Sequence, residues 1–402
     1  ESLEPMRFEG IREARDFVKK YEYVDNFKIY GNTRYEYAFI SDNQRGTIDW
    51  DLSEITIAII DIEVYSENGF PDPVLANEPI TAIAVNKLNR GTTVYGCNEY
   101  KNNDETVTYV QCDNEVDLCK KFVADWQKDY PDVVTGWNTK FFDIPYLIHR
   151  FRKILGEEFC KKLSPWGLIY SKEKVIKGND YSIHEIVGIT ELDYIELYKW
   201  YSPNGKSQES YRLDAIAQFE LGEGKIDYDD YDSLHHLYRD NYEKFIEYNI
   251  KDVQLIVKLE DKLKLLELAL TLAYDTKTNY DDVFAQTRMW DSLIYNKLIT
   301  KKIVVPPRVV SKKTERYEGA YVKDPQVGLH DWVASFDLNS LYPHLIIQYN
   351  ISPETLIDSD NYTDNMKDIV RDIVSVDKML EKNIDTSKLK NATLTPNGQF
   401  FR

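Results

Sequence analysis

Cysteine is scarce. The 402-residue chain has four, Cys97, Cys112, Cys119 and Cys160, and no two form a CxxC pair. That spacing suggests neither a zinc site nor a disulfide scaffold, and it fits a reducing cytoplasm. Long apolar runs are missing too: the longest, such as LKLLELALTLAY, are interrupted by charge and too short to span a bilayer, so no membrane partner is expected. No signal sequence is visible. Positive charge is short as well, with 50 Lys and Arg against 68 Asp and Glu and a net charge of −18. Taken alone, that balance argues against nucleic-acid binding. The acidic excess is partly concentrated in runs such as IDYDDYDS (226 to 233), which usually form solvated surface. A hydrophobic content of 43% gives enough material for two or three domains.

Within that composition, a few acidic positions stand out. Ile55 to Val64 (ITIAIIDIEV) is apolar and rich in β-branched residues, so it reads as a buried strand. The two-residue side-chain period puts Asp61 and Glu63 on one face of it. Unpaired buried carboxylates cost several kcal/mol, and the run holds no Lys or Arg to pair them. Tyr242 to Leu263 has helical apolar spacing, with Tyr248 and Asp252 at i and i+4 on one face. Asp143 follows Phe141 and Phe142 and precedes Ile144 and Pro145; a proline is tolerated in a first helical turn, so Asp143 is expected at a helix N-terminus. Each feature alone has an ordinary explanation, a salt-bridged strand edge for DxE and a solvated face for YxxxD. Jointly they suit phosphodiester hydrolysis with two Mg²⁺ or Mn²⁺ ions, whose hard character matches carboxylate oxygens. In that chemistry Tyr248 would orient the attacking water.

The segments IIDIEV, GWNTKFFDIPYLIHRF and EYNIKDVQLI resemble the three exonuclease motifs of family B DNA polymerases. SFDLNSLYP (335 to 343) resembles the family's polymerase motif A, and YEGAYV (317 to 322) the short motif before it. Order and spacing, with ISPETL following, look most similar to the replicative polymerases of T-even-type tailed phages. The resemblance implies an α/β fold: an RNase H-like 3′-5′ exonuclease domain with a partial N-terminal α+β domain and a truncated palm. It implies boundaries at 1–52 (N-terminal domain), 53–265 (exonuclease), 266–308 (helical return to the N-terminal domain) and 309–402 (start of the palm). The metal ligands it implies are Asp61, Glu63, Asp143 and Asp252, beside Tyr248. In the palm it implies Asp337 as a ligand, Leu338 as a backbone ligand and nucleotide contact, and Tyr342 under the incoming sugar. Asp337 has a plainer reading as a helix cap.

DNA contacts are expected at Phe70, Asn138, Phe142 and Gly319. Phe70 in NGFPDP and Phe142 would stack on the last bases of a single strand, although aromatics are more often core. Lys225 in LGEGK would touch a phosphate or simply sit in an exposed turn, and Asp193 in ELDYIELY reads as structural. Lys174 to Ile189 alternates around KGND and reads as a β-hairpin, which in the family helps part primer from template. Residues 1 to 52 read as an amphipathic helix and short strands, 266 to 308 as helix, and Val333 to Phe336 as strand-like, with Tyr342 and Pro343 marking a turn. The segment containing NYTDNMKDIVRDIVSVDKMLEKN reads as a helical pair.

The implied partners are a DNA primer-template, a single-stranded 3′ end and, in the full-length protein, deoxynucleoside triphosphates. A sliding clamp and a single-strand binding protein would engage parts not present here. The expected location is cytoplasmic, the host cytoplasm if the protein is viral. Neither a YGDTDS-like motif C nor a KxxxNSxYG-like fingers motif occurs in the 402 residues. The expectation is a working exonuclease and no polymerisation by this chain alone. Glu1 is not an initiator Met, and MRFEGIREARDFVKKYEYVDNF resembles an internal stretch of the family's N-terminal domain, so the chain reads as a piece of a longer polymerase. Two alternatives stay open: a freestanding DEDD-type exonuclease acting on RNA or DNA, which would have no use for SFDLNSLYP, and a non-catalytic DNA-holding replication subunit.

Overall fold

The structure is a computed structural model describing residues 3–31, 34–67, 69–176, 179–227, 231, 233–306, 322–372, 389, 391–395 and 398–402. It divides into two compact units, Glu1–Ser311 and Lys312–Arg402.

The first unit opens with helices α1 (Ile11–Tyr21) and α2 (Tyr35–Asn43). Short strands were expected in this region, and none forms among the described residues. In α2, Tyr37 and Ser41 are buried one turn apart on a single helical face, which a strand would split between two sides. The Tyr37 hydroxyl is anchored on buried Asp282.

Strand β1 (Ile57–Val64) is central to a six-stranded mixed sheet. It is followed by β2 (Ile80–Lys87), β3 (Gly91–Gly96), β4 (Val107–Gln111), helix α3 (Glu115–Lys128), β5 (Val133–Thr135), α4 (Asp143–Leu155) and the single turn α5 (Glu157–Cys160). Next come the hairpin β6 (Ile169–Ile176) and β7 (Asn179–Ile186), then β8 (Thr190–Glu191) and α6 (Tyr194–Tyr201). After these run α7 (Leu213–Leu221), α8 (Leu234–Asp240), α9 (Tyr242–Leu263), α10 (Leu265–Thr276) and α11 (Gln286–Thr300). The strand order is β4-β3-β2-β1-β5-β8; β1 runs antiparallel to β2 and parallel to β5.

Alternation along β1 sorts its residues into two cores. Ile57 and Ile59 pack with Phe245, Ile246, Val253 and Ile256 of α9, while Ala58, Ile60 and Ile62 pack with Phe122 of α3 and Leu147 and Phe151 of α4. Burial on both faces explains the near-continuous apolar run that precedes the acids. Asp61 and Glu63 therefore continue the face that α9 covers. Their strand partners on β2 are Ala84 and Ala82, small residues that leave room above the sheet.

The segment expected to be helical after residue 265 is two helices around a short 3₁₀ turn, Tyr280–Phe284. In the second unit, Val333 to Phe336 is not a strand: no described strand pairs with it, and all four residues are exposed. The expected turn at Tyr342 and Pro343 is the first turn of helix α12 (Leu341–Tyr349), where proline costs no internal hydrogen bond. Beyond it lie α13 (Asp364–Asp372) and the small pair β9 (Thr393–Leu394) and β10 (Phe400–Phe401). The second helix expected in the tail lies outside the described residues, as does the KG step of the hairpin turn. No described helix is long and apolar enough to cross a membrane.

Candidate functional site

Three elements converge at the C-terminal end of β1. The strand delivers Asp61 and Glu63, and α9 crosses the same face and delivers Asp252, so that a carboxylate oxygen from each lies within 4.8 Å of the others. Asn249, one turn before Asp252 and fully buried, donates from Nδ2 to Asp61 Oδ2 at 2.6 Å, fixing that carboxylate. Asp143 is the first residue of α4, on the other side of the strand, and accepts the Ile62 N–H at 3.1 Å. It lines the same cleft, of about 870 Å³, but stands outside the tight group of three.

Gly136 makes the approach of the Asp143 turn possible, because a Cβ there would overlap the Ile60 carbonyl oxygen and the Thr139 methyl group. The turn that follows reverses the chain with Asn138 in the left-handed region, φ 71°. Phe142 then packs on Phe70 with ring centroids 4.8 Å apart. Phe70 is 80% exposed, so its ring has a free face. Both rings and Asn138 line the cleft.

Burial dominates the electrostatics. It pushes the Asp61 carboxyl well above the usual range, with Asp252 and Asp143 adding repulsion. Glu63 is raised in the same way, by burial and then by Asp61 and Asp252. Burial raises Asp143 to about 8, against the opposing effect of the Ile62 N–H. Asp252 is also raised by burial, with Lys225 acting in the opposite direction.

Lys225 brings a positive charge to the three carboxylates. Its Nζ pairs with Asp252 Oδ2, donates to the Tyr248 hydroxyl at 3.0 Å and lies 4.9 Å from the Tyr248 ring centre. Although burial works against its charge, Asp252, Tyr248 and Asp61 hold it protonated. The sequence had offered only a phosphate contact or an exposed turn for this lysine. The usable signal was Gly224: a Cβ there would overlap Asp214 Oδ1, which accepts the Lys225 N–H at 2.8 Å, so the turn must lie close against α7.

One oxygen remains over. Asp252 Oδ1 is buried and has no hydrogen-bond partner. A buried carboxylate with an unsatisfied oxygen, grouped with two more carboxylates, is a donor set that suits a hard divalent cation. The residues present therefore fit such an ion.

The motif A residues lie in the second unit. Asp337, Leu338 and Tyr342 are exposed, Tyr342 within the first turn of α12. Gly319 lies outside the described residues.

Comparison with known proteins agrees with this geometry. The family model for the exonuclease domain of family B DNA polymerases matches residues 12–216, and the model for DNA polymerase family B matches residues 283–396. The DNA-directed DNA polymerase of Escherichia phage RB69 is 35% identical over 378 residues, which cover 87% of this chain and 41% of that protein. That of Enterobacteria phage T4 is 31% identical over 378 residues, covering 88% and 41%. The DNA polymerase delta catalytic subunit of Schizosaccharomyces pombe is 28% identical over 386 residues, covering 87% and 32%. The chain thus spans about two fifths of the length of its phage relatives. With an exonuclease-domain match across half of its length and a polymerase match beyond it, the chain belongs to family B of the DNA polymerases.

Proposed function

We propose that this chain hydrolyses the 3′-terminal phosphodiester of a DNA strand, as the proofreading exonuclease of a viral family B replicative polymerase. The observation that carries the reading is the meeting of Asp61, Glu63 and Asp252 within 4.8 Å at the end of a buried strand. These three would hold one divalent cation, and Asp143 would complete the set for a second. Two Mg²⁺ or Mn²⁺ ions so bound would polarise the scissile phosphate and lower the pKa of water at the site.

The chain's own groups do the rest. Asn249 orients Asp61, and Lys225 neutralises Asp252 until a stronger cation takes that place. The Tyr248 hydroxyl stands beside Lys225 and orients the attacking water. Phe70 and Phe142 stack on the terminal bases, each such contact contributing ~1 to 3 kcal/mol. Asn138 reaches the scissile nucleotide from the edge of the cleft.

The remaining assignments extend the same reading. Residues 1–52 form part of an N-terminal α+β domain, 53–265 the RNase H-like exonuclease, 266–308 a helical return and 309–402 the start of a palm. In the whole polymerase Asp337 and the Leu338 carbonyl hold the ion of an incoming deoxynucleoside triphosphate, Tyr342 lies under its sugar and Gly319 approaches the DNA. A primer-template, a clamp and a single-strand binding protein are the partners of that longer protein. One palm carboxylate does not clamp two ions, so this chain alone adds no nucleotides.

The test is digestion of a single strand labelled at its 3′ end in Mg²⁺, beside a variant carrying Asp61→Ala and Glu63→Ala. Loss of the label with the native chain only is expected. Equal release by both, or release by neither, would overturn the reading.

A further inference from the structure

Asp193 lies outside the cleft and belongs to none of the acidic motifs, yet it is 1% exposed and no cation pairs with it among the described residues. Its carboxylate is occupied by backbone N–H groups. Oδ1 accepts from Asn138 N at 3.2 Å and from Ile195 N at 3.0 Å, and Oδ2 accepts from Lys140 N at 3.2 Å. The Ile195 bond is an ordinary cap on α6. The other two are not: they grip the reversing turn on either side of Thr139.

That turn needs a left-handed residue. Asn138 has φ 71°, a region that residues other than glycine enter at a cost and Asn at the least, so its surroundings decide whether it stays there. Further fixings surround it. Trp137 Nε1 donates to the Tyr211 carbonyl at 3.0 Å, and Tyr194 N donates to the Gly136 carbonyl at 2.9 Å. The two Asp193 bonds act on the left-handed residue itself and on the residue two places on. With the left-handed backbone held, the Asn138 side chain lies on the wall of the exonuclease cleft.

We propose that Asp193 is a positioning residue for the exonuclease reaction, holding Asn138 in its left-handed conformation so that its amide faces the scissile nucleotide. The inference rests on the exonuclease reading above. It separates Asp193 from a plain helix cap, because a cap acts on stability and leaves the rate alone.

Two substitutions discriminate. Asp193→Asn keeps the shape and the cap but turns an amide N–H₂ towards one of the backbone donors. Asp193→Ser keeps a good cap and is too short to reach the turn. In steady-state digestion of a single strand at saturating Mg²⁺, each is expected to lower kcat about tenfold with KM within about twofold, at a temperature where both variants are folded; the backbone N–H groups left without an acceptor also lower the melting temperature by a few degrees. The link to Asn138 is read from a double-mutant cycle with Asn138→Gly, which removes the amide and tolerates positive φ. In that background Asp193→Asn is expected to change kcat by no more than about twofold. A kcat within twofold of the native chain for both folded Asp193 variants would overturn the proposal, and so would an undiminished effect in the Asn138→Gly background. If neither variant folds, Asp193 is a folding residue and the proposal fails. An active native chain with an indifferent Asp193 leaves the exonuclease reading standing, whereas an inactive native chain removes the reaction and this role together.

Discussion

Lys225→Met should destabilise the metal-free protein and should do so less when Mg²⁺ is present. Lys225 sits against Asp252, whose side chain is 4% exposed, with Asp61 and Glu63 close by. Breaking a buried pair by removing one partner costs about 3 to 5 kcal/mol. The Lys225 side chain is 27% exposed, so solvent screens part of that, leaving an expected loss of about 2 kcal/mol. For the unit Glu1–Ser311 that lowers the melting temperature by roughly 3 °C. Methionine retains most of the aliphatic stem, so packing changes little.

The loss depends on pH in a definite direction. Asp61 and Glu63 have carboxyls raised above their unfolded values, so the stability linked to their protonated forms is lost as pH rises through the folded values. Without Lys225 that window moves further up. The deficit should therefore be larger at pH 8.5 than at pH 6. Calorimetric melting in EDTA and in Mg²⁺ reads both effects. A variant as stable as the native chain in EDTA would show that Lys225 does not offset the buried carboxylates, and a deficit of the same size with Mg²⁺ would show that no cation takes its place.

Tyr248→Phe should lower kcat on single-stranded DNA about tenfold with KM almost unchanged, because the hydroxyl acts on the attacking water and not on substrate binding; a rise in KM alone would contradict this. Asn249→Ala should weaken Mn²⁺ binding about tenfold by calorimetric titration, since it frees the Asp61 carboxylate from its 2.6 Å hydrogen bond. His184, on the hairpin strand β7, is pushed down to about 4 by burial, so its contribution to stability is complete above its unfolded pKa and is lost as pH falls towards 4. His184→Asn should flatten the pH dependence of melting in that acid range, and an unchanged slope would show that the neutral imidazole is not what the fold depends on.

Local patterning carried much of this architecture because it decides which face a side chain takes. The two-residue period placed Asp61 and Glu63 together, and β1 and its partner Ala82 and Ala84 show why that face has room. Helical spacing placed Tyr248 beside Asp252, and the Phe-Phe-Asp-Ile-Pro run placed Asp143 at the start of α4. What stayed hidden depends on contacts between distant segments. Lys225 reaches Asp252 across 27 positions, and Asn249 reaches Asp61 across 188. Neither periodicity nor propensity encodes such meetings. The grip of Asp193 on the turn is hidden as well, because its partners are backbone groups, which carry no side-chain signature. Val333 to Phe336 has strand-like composition but no described partner strand, and a strand without a ladder is only extended chain.

Everything proposed for the cleft depends on Asp61, Glu63 and Asp252 holding a divalent cation. The most direct measurement is anomalous diffraction at the manganese edge from crystals of this chain soaked in Mn²⁺. A peak bounded by those three carboxylates, and lost in Asp252→Asn, is expected. Manganese bound elsewhere, with none between them, would contradict it.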